Sequence, residues 1–306
     1  MSSIKQTIWH LQQSNQKAYY LAFLRVALCA WFLKELLFRW PAFEILYSTH
    51  SFLKIRPSDS FHLFHLDLFF LKEHYLVVVW ACVVLLLLNI FGIGKNIVSL
   101  LVFLMLTLLY NINNKFSNGG DEMSLLLAFY LSFANTFSHF TLFKPKEYAL
   151  PKQKIYNLIS NLAVYAIIIN LSLSYFMSGW YKLQDTYWLR GTGMYYILND
   201  ERFSILAAGG RHISAPAILV YFLTYSTILF EIGFPFFVYF RRSKRIVLIL
   251  GLLMHLGIYI FLMIYGLSVI FVIQYGLFFS DEETTAAVKK VKRLVKFKRN
   301  ALPETQ

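Results

Sequence analysis

Apolar residues along this chain fall into long runs separated by short polar stretches. A helix needs about 20 residues to cross about 30 Å of hydrocarbon. Inside lipid the backbone must pair its own polar groups, so such runs predict helices. The candidate spans are residues 18–38, 74–91, 95–110, 123–143, 155–181, 216–240 and 246–280. The last is too long for one helix, and a break near Tyr265 and Gly266 divides it. The expectation is an all-α, polytopic bundle of about eight spans.

Basic residues set the orientation. With residues 1–17 in the cytoplasm, the inside segments carry Lys5 and Lys17, then Lys95, then Lys144, Lys146, Lys152 and Lys154, then Arg241, Arg242, Lys244 and Arg245. The first outside loop offsets Lys54, Arg56 and Lys72 with Asp59, Asp67 and Glu73. This bias puts both termini inside and requires an even number of spans. Residues 18–280 then form one membrane domain, and 281–306 form a cytoplasmic tail. In that tail Val288, Val291 and Leu294 recur at helical spacing among lysines, the pattern of a basic amphipathic helix on an anionic leaflet. Residues 1–17 are too long and polar to read as a secretory signal.

Composition agrees: 58% of the residues are hydrophobic and 15% charged. A net charge of +13 in a soluble domain would suggest nucleic acid; placed as it is here, it points to membrane lipid, and no nucleic acid is expected. Cys29 and Cys82 lie inside apolar runs, where a thiol is a small hydrophobe, and imply no disulfide framework. The long connections 39–73 and 182–215 fall on the non-cytoplasmic face and could cap the bundle. Within the first, 61–70 reads as a segment lying on the membrane surface.

Charged and polar residues inside the runs mark candidate chemistry, because a charge near mid-bilayer costs at least about 2.5 kcal/mol. Arg25, Lys34, Glu35, Glu231 and His255 are of this kind, as are Asn135, His139, Asn161 and Asn170. Glu231 either pairs with a basic group, Lys182 or Arg25, or tunes a lysine or substrate; Pro235 should bend its helix. Lys182 follows the small pair Ser178 and Gly179, across which a helix or flat ligand can approach. An interface lysine commonly snorkels. One withdrawn from water can instead act as a base or, charged, bind an anion.

His255 reads as a packing histidine or a proton relay. Asn118, Gly119, Gly120 and Asp121 read as an outside turn in which Asp121 caps the next helix. His62, His65, Asp67 and His74 carry plausible zinc donors without diagnostic spacing, and no metal site is assigned. The candidate catalytic residues are Lys182, Glu231 and His255; the candidate substrate-binding residues are Trp188, Arg190, Gly191 and Asp121.

The segment SGWYKLQDTYWLRGTGMYYIL resembles the signature of the HTTM superfamily, the membrane domain shared by vitamin K-dependent gamma-carboxylase and many bacterial proteins. The segments NGGDEMSLLLAFYLSFAN, FEIGFPF and GLLMHLGIYIF are similar to further family segments in the same order, and the resemblance covers roughly residues 17–280. It implies that Lys182 matches the lysine thought to deprotonate the carboxylase's hydroquinone, with Trp188 and Gly191 downstream, on the non-cytoplasmic side. A reduced quinone is then the implied cofactor. Gly119 and Gly120 stand where the carboxylase has an Asn-His pair, and no counterpart of its lumenal domain is present, so glutamate carboxylation is not expected.

The size and bare membrane domain resemble the bacterial SdpB-like proteins, which are associated with maturation or export of a secreted peptide toxin. This implies residence in a bacterial cytoplasmic membrane. Two function classes stand: an enzyme using Lys182 on a quinone, lipid or secreted peptide, and a non-catalytic accessory protein that serves a small secreted peptide or a membrane partner. Transport is disfavoured by the lack of an inverted repeat and of paired glycine-broken helices.

Overall fold

The computed structural model describes residues 3–49, 69–112, 119–143 and 149–301, and its regular structure is α-helical. In chain order the helices are α1 (Ser3–Gln13), α2 (Ala18–Phe38), α3 (Phe43–Tyr47), α4 (Phe69–Glu73), α5 (Tyr75–Ile90), α6 (Lys95–Ile112) and α7 (Gly119–Phe133). There follow α8 (Leu150–Lys182), α9 (Thr186–Leu189), α10 (Gly193–Leu198), α11 (Ala217–Phe237), α12 (Lys244–Phe261), α13 (Tyr265–Gln274) and α14 (Asp281–Ala301). The helices α8, α11 and α12 are long and apolar enough to cross a membrane; α5, α6 and the stretch Tyr265–Phe278 are apolar but shorter. Leu21, Leu86, Leu127, Ile167 and Ile270 meet in one buried core, which joins α2, α5, α7, α8 and α13.

The run at 246–280 is divided as expected: α12 ends at Phe261 and α13 begins at Tyr265. Between them Leu262 is extended and pairs with Ser204, while Met263 N–H donates to Phe203 O at 2.6 Å. The break is therefore paired by the long connection before α11, as a broken helix in an apolar setting requires.

The run at 123–143 differs from expectation. Its helix ends at Phe133, and 134–143 follow an irregular path. Such a path needs partners for its backbone, and a buried cation supplies them. Arg25, 1% exposed, donates from Nε to Thr136 O at 3.2 Å and from Nη2 to His139 O at 3.3 Å and Phe140 O at 2.7 Å. Its Nη1 donates to Asn89 O, and to Ile90 O at 3.0 Å, closing the carbonyl end of α5. Arg25 is thus a clamp on backbone carbonyls, which removes it as a partner for Glu231.

The segment expected to be a turn before α7 also differs. Asn118 lies outside the described residues, and α7 starts at Gly119, so Asp121 sits in the first helical turn instead of capping it. Gly120 is there because α13 passes so close that a Cβ would lie 2.7 Å from the carbonyl carbon of Gly266. His62, His65, Asp67 and most of 61–70 also lie outside the described residues.

The N-terminal segment, read from sequence only as polar, folds into α1 and docks on α8. Asn161 Nδ2 donates to Leu11 O at 2.7 Å and Ser14 O at 2.8 Å, and Asn157 Nδ2 donates to Gln12 O at 3.1 Å. Asn157, Ser160 and Asn161 share one face of α8 by their i, i+3, i+4 spacing. These amides make their hydrogen bonds inside the protein, as polar groups on an apolar helix must.

The tail begins with a reciprocal cap: Ser280 N–H donates to Glu283 Oε2 at 2.9 Å and Glu283 N–H donates to Ser280 Oγ at 3.1 Å. Lys244 Nζ adds a bond to Glu283 Oε2 at 3.0 Å. The Ser280 amide, followed by the Lys244 ammonium, holds the Glu283 carboxyl below the ordinary glutamate range. A depressed carboxyl contributes stability above its unfolded pKa and loses it as pH falls through the folded value. Amide protection in the first turns of α14, that is exchange corrected for its intrinsic pH dependence, should therefore fall below about pH 4, and Glu283→Gln should show that lower protection already at pH 7. Protection in wild type that stays flat from pH 7 to pH 3 would contradict this cap.

Candidate functional site

The last two turns of α8 and the middle of α11 form the most concentrated polar site on the predicted residues. Ser178 and Lys182 lie one turn apart on α8, and Lys182 Nζ donates to Ser178 Oγ at 2.7 Å. The same ammonium donates to both oxygens of Glu231, at 2.8 and 2.7 Å. The pair is shielded, with side-chain exposures of 19% for Lys182 and 9% for Glu231. Gly179 makes the approach feasible: a Cβ there would lie 2.7 Å from Ile232 Cγ1 and 3.1 Å from Glu231 Cβ. The small pair read from sequence is thus a contact between helices, with Ser178 also serving as an acceptor.

Glu231 lies four residues before Pro235, inside α11. Proline has no N–H, so the Glu231 carbonyl loses its usual helical donor. At 1.5 Å per residue, about 21 Å of helix separate Ala217 from Glu231, and α11 continues well past the end of α8. Onto that extension fold α9 and α10. Asp185 caps α9 by accepting from Tyr187 N at 2.8 Å and Trp188 N at 3.1 Å. Gly191 turns the chain with φ 77°, against the Tyr221 ring. Met194 N–H donates to Thr224 Oγ1 at 3.1 Å, and Tyr225 OH to Leu189 O at 2.9 Å. The result brings the Trp188 ring to 5.0 Å from Lys182 Nζ, within cation–π range.

The predicted residues therefore separate. Lys182, Glu231 and Trp188 meet; Gly191 shapes the turn beside them. The Arg190 side chain is exposed, and its N–H closes α9 on Thr186 O at 3.0 Å. Asp121 lies elsewhere, lining a cavity of about 70 Å³ with Glu35, Arg39, Tyr47 and Tyr110. It shares no wall with Lys182, so the structure does not place Asp121 in the same binding site.

His255 belongs to a second buried centre. Its Nε2 lies 2.6 Å from Tyr175 OH, which lies 2.5 Å from Tyr275 OH. Its Nδ1 has no hydrogen-bond partner among the described residues, and the ring packs against Phe271. Gly251 leaves room for Tyr275, since a Cβ would lie 3.0 Å from its Cζ. Tyr175, Ser178 and Lys182 share one face of α8, about 10 Å from first to last. Neither tyrosine stands out in the sequence as a candidate. The i, i+7 spacing of Tyr175 and Lys182 was the available signal.

Chemically, a buried ammonium–carboxylate pair can pass a proton between its members or present a cation to an oxyanion, and an imidazole–phenol–phenol chain, with Tyr175 in the middle, can relay protons through its hydrogen bonds. The arrangement is that of a membrane protein with a shielded lysine ion pair; no protein-family model matches the chain, and no curated protein or solved structure matches it either.

Proposed function

We propose that this chain is an HTTM-like enzyme of about eight spans, with both termini in the cytoplasm of a bacterium, that removes a proton from an acidic hydroxyl of a membrane-soluble substrate. The substrate class is a reduced quinone. The observation that carries this reading is the shielded contact of Lys182 Nζ with Ser178 and both oxygens of Glu231.

In a weakly polar site an ion pair and a neutral pair lie close in free energy. A proton passed from the Lys182 ammonium to Glu231 leaves a free amine. That amine takes the hydroxyl proton of a bound hydroquinone, becomes ammonium again and holds the new oxyanion by charge and hydrogen bond. Glu231 then returns its proton to solvent. The Trp188 ring beside Lys182 supplies a flat face for an aromatic substrate. Of the motif residues that carry the family resemblance, 178–198, Ser178 and Trp188 lie within reach of this ammonium.

The test is equilibrium binding of a short-chain naphthohydroquinone to the detergent-purified protein. Wild type should saturate, and the double variant Lys182→Met/Glu231→Leu should bind at least tenfold more weakly while keeping its unfolding temperature. Equal affinities would sink the enzymatic reading and favour the accessory role for a secreted peptide.

A further inference from the structure

A second feature, away from Lys182, combines an apolar groove with a basic pocket at its end. The groove has a volume of about 760 Å³ and lies between α12, α13 and the start of α14, with Tyr20 of α2 at its side. That size falls in the usual range of ligand sites, about 300–1,000 Å³. Its walls include Leu248, Ile249 and Leu252 of α12 and Val272 of α13.

The polar groups along the groove are already satisfied within the protein. Tyr20 OH donates to Ile273 O at 2.6 Å and accepts from Gly276 N at 3.2 Å, and Thr284 Oγ1 donates to Ser280 O at 2.9 Å. Arg245 and Glu283, the charged residues of this wall, also line a second cavity of about 430 Å³ together with Arg241, Arg242 and Lys244. Four cations there face one carboxylate, and Glu283 is engaged by Lys244 at 3.0 Å and Arg245 at 3.7 Å. Arg241 and Arg242 have no ion-pair partner among the described residues.

The two cavities share Arg245, in the first turn of α12, and Glu283, near the start of α14. We infer that this is a binding site for one anionic phospholipid, its acyl chain along the groove and its phosphate over Arg241, Arg242 and Arg245. A molecule that is apolar along its length and negative at one end matches both cavities at once. A zwitterionic lipid brings a cation into the same basic pocket and matches less well. The bound lipid fills the space between α12 and α14, so the tail helix is held by lipid as well as by Glu283. This site does not depend on any role for Lys182.

Native mass spectrometry of the full-length protein, with added dioleoyl phosphatidylglycerol or dioleoyl phosphatidylcholine, tests the assignment. Wild type should retain the glycerol lipid at least tenfold more than the choline lipid. The triple variant Arg241→Gln/Arg242→Gln/Arg245→Gln should lose that preference, and the corresponding triple lysine variant should keep it. Leu252→Trp, at a half-exposed position of the groove wall, should reduce retention of both lipids at an unchanged unfolding temperature. Equal retention of the two lipids by wild type, or unchanged retention in the glutamine or tryptophan variants, overturns the assignment. So does full displacement of the glycerol lipid by millimolar inorganic phosphate, because the acyl groove would then contribute nothing.

Discussion

Lys182→Met alone is expected to lower the stability of the purified protein by about 3 kcal/mol, because the Glu231 carboxylate stays behind in a shielded site without its cation. At about 2–4 °C per kcal/mol for large domains, this is a fall in unfolding temperature on the order of 6–12 °C. Glu231→Leu alone should cost a similar amount, since it strands the ammonium. The double variant Lys182→Met/Glu231→Leu should recover most of the loss, as replacing a buried ion pair by apolar groups of similar volume is often neutral or stabilising.

Activity separates from stability in this series. If the pair carries chemistry, the double variant is stable and inactive; if it only joins α8 to α11, the double variant is stable and keeps its function. Thermal melts of the three variants in one detergent supply the stability part of the cycle. A double variant as unstable as the worse single variant would show that the ion pair contributes net stability that apolar packing cannot replace.

Arg25→Met should be still more damaging. Five backbone carbonyls, those of Asn89, Ile90, Thr136, His139 and Phe140, accept from this one guanidinium. Each buried group left without a partner costs about 1–3 kcal/mol, and even partial relaxation leaves a loss of at least about 4 kcal/mol. The irregular path 134–143 would be freed first, followed by the carbonyl end of α5. Arg25→Lys should recover less than half of the loss, because an ammonium has three donors on one point and cannot span both segments. Size-exclusion profiles and melts in detergent measure both effects. An Arg25→Met protein that elutes normally and melts within about 2 °C of wild type would contradict the clamp, since 2 °C corresponds to about 1 kcal/mol.

These predictions rest on contacts of different legibility. The helices over 18–38, 74–91, 95–110 and 216–240 follow from their apolar runs, and the structure places their ends within a few residues of expectation. The division of 246–280 also follows, because such a length cannot remain one span. Ser178, Gly179, Lys182 and Glu231 stand out in the chain because small and charged residues on apolar helices need a reason to be there.

What the linear pattern could not decide is which partner each polar group takes. Glu231 had two candidate cations, and the choice of Lys182 follows from the register of α11 on α8, set where Gly179 admits Ile232. Arg25 has the composition of a salt-bridge residue and serves carbonyls instead, because α7 ends early and leaves a backbone to be paired. Tyr175, His255 and Tyr275 come from three helices and meet only after packing. Hydrophobic period is a local property of the chain and sets where helices form. Hydrogen-bond partnership depends on relative rotation and translation between helices, which only the assembled bundle determines.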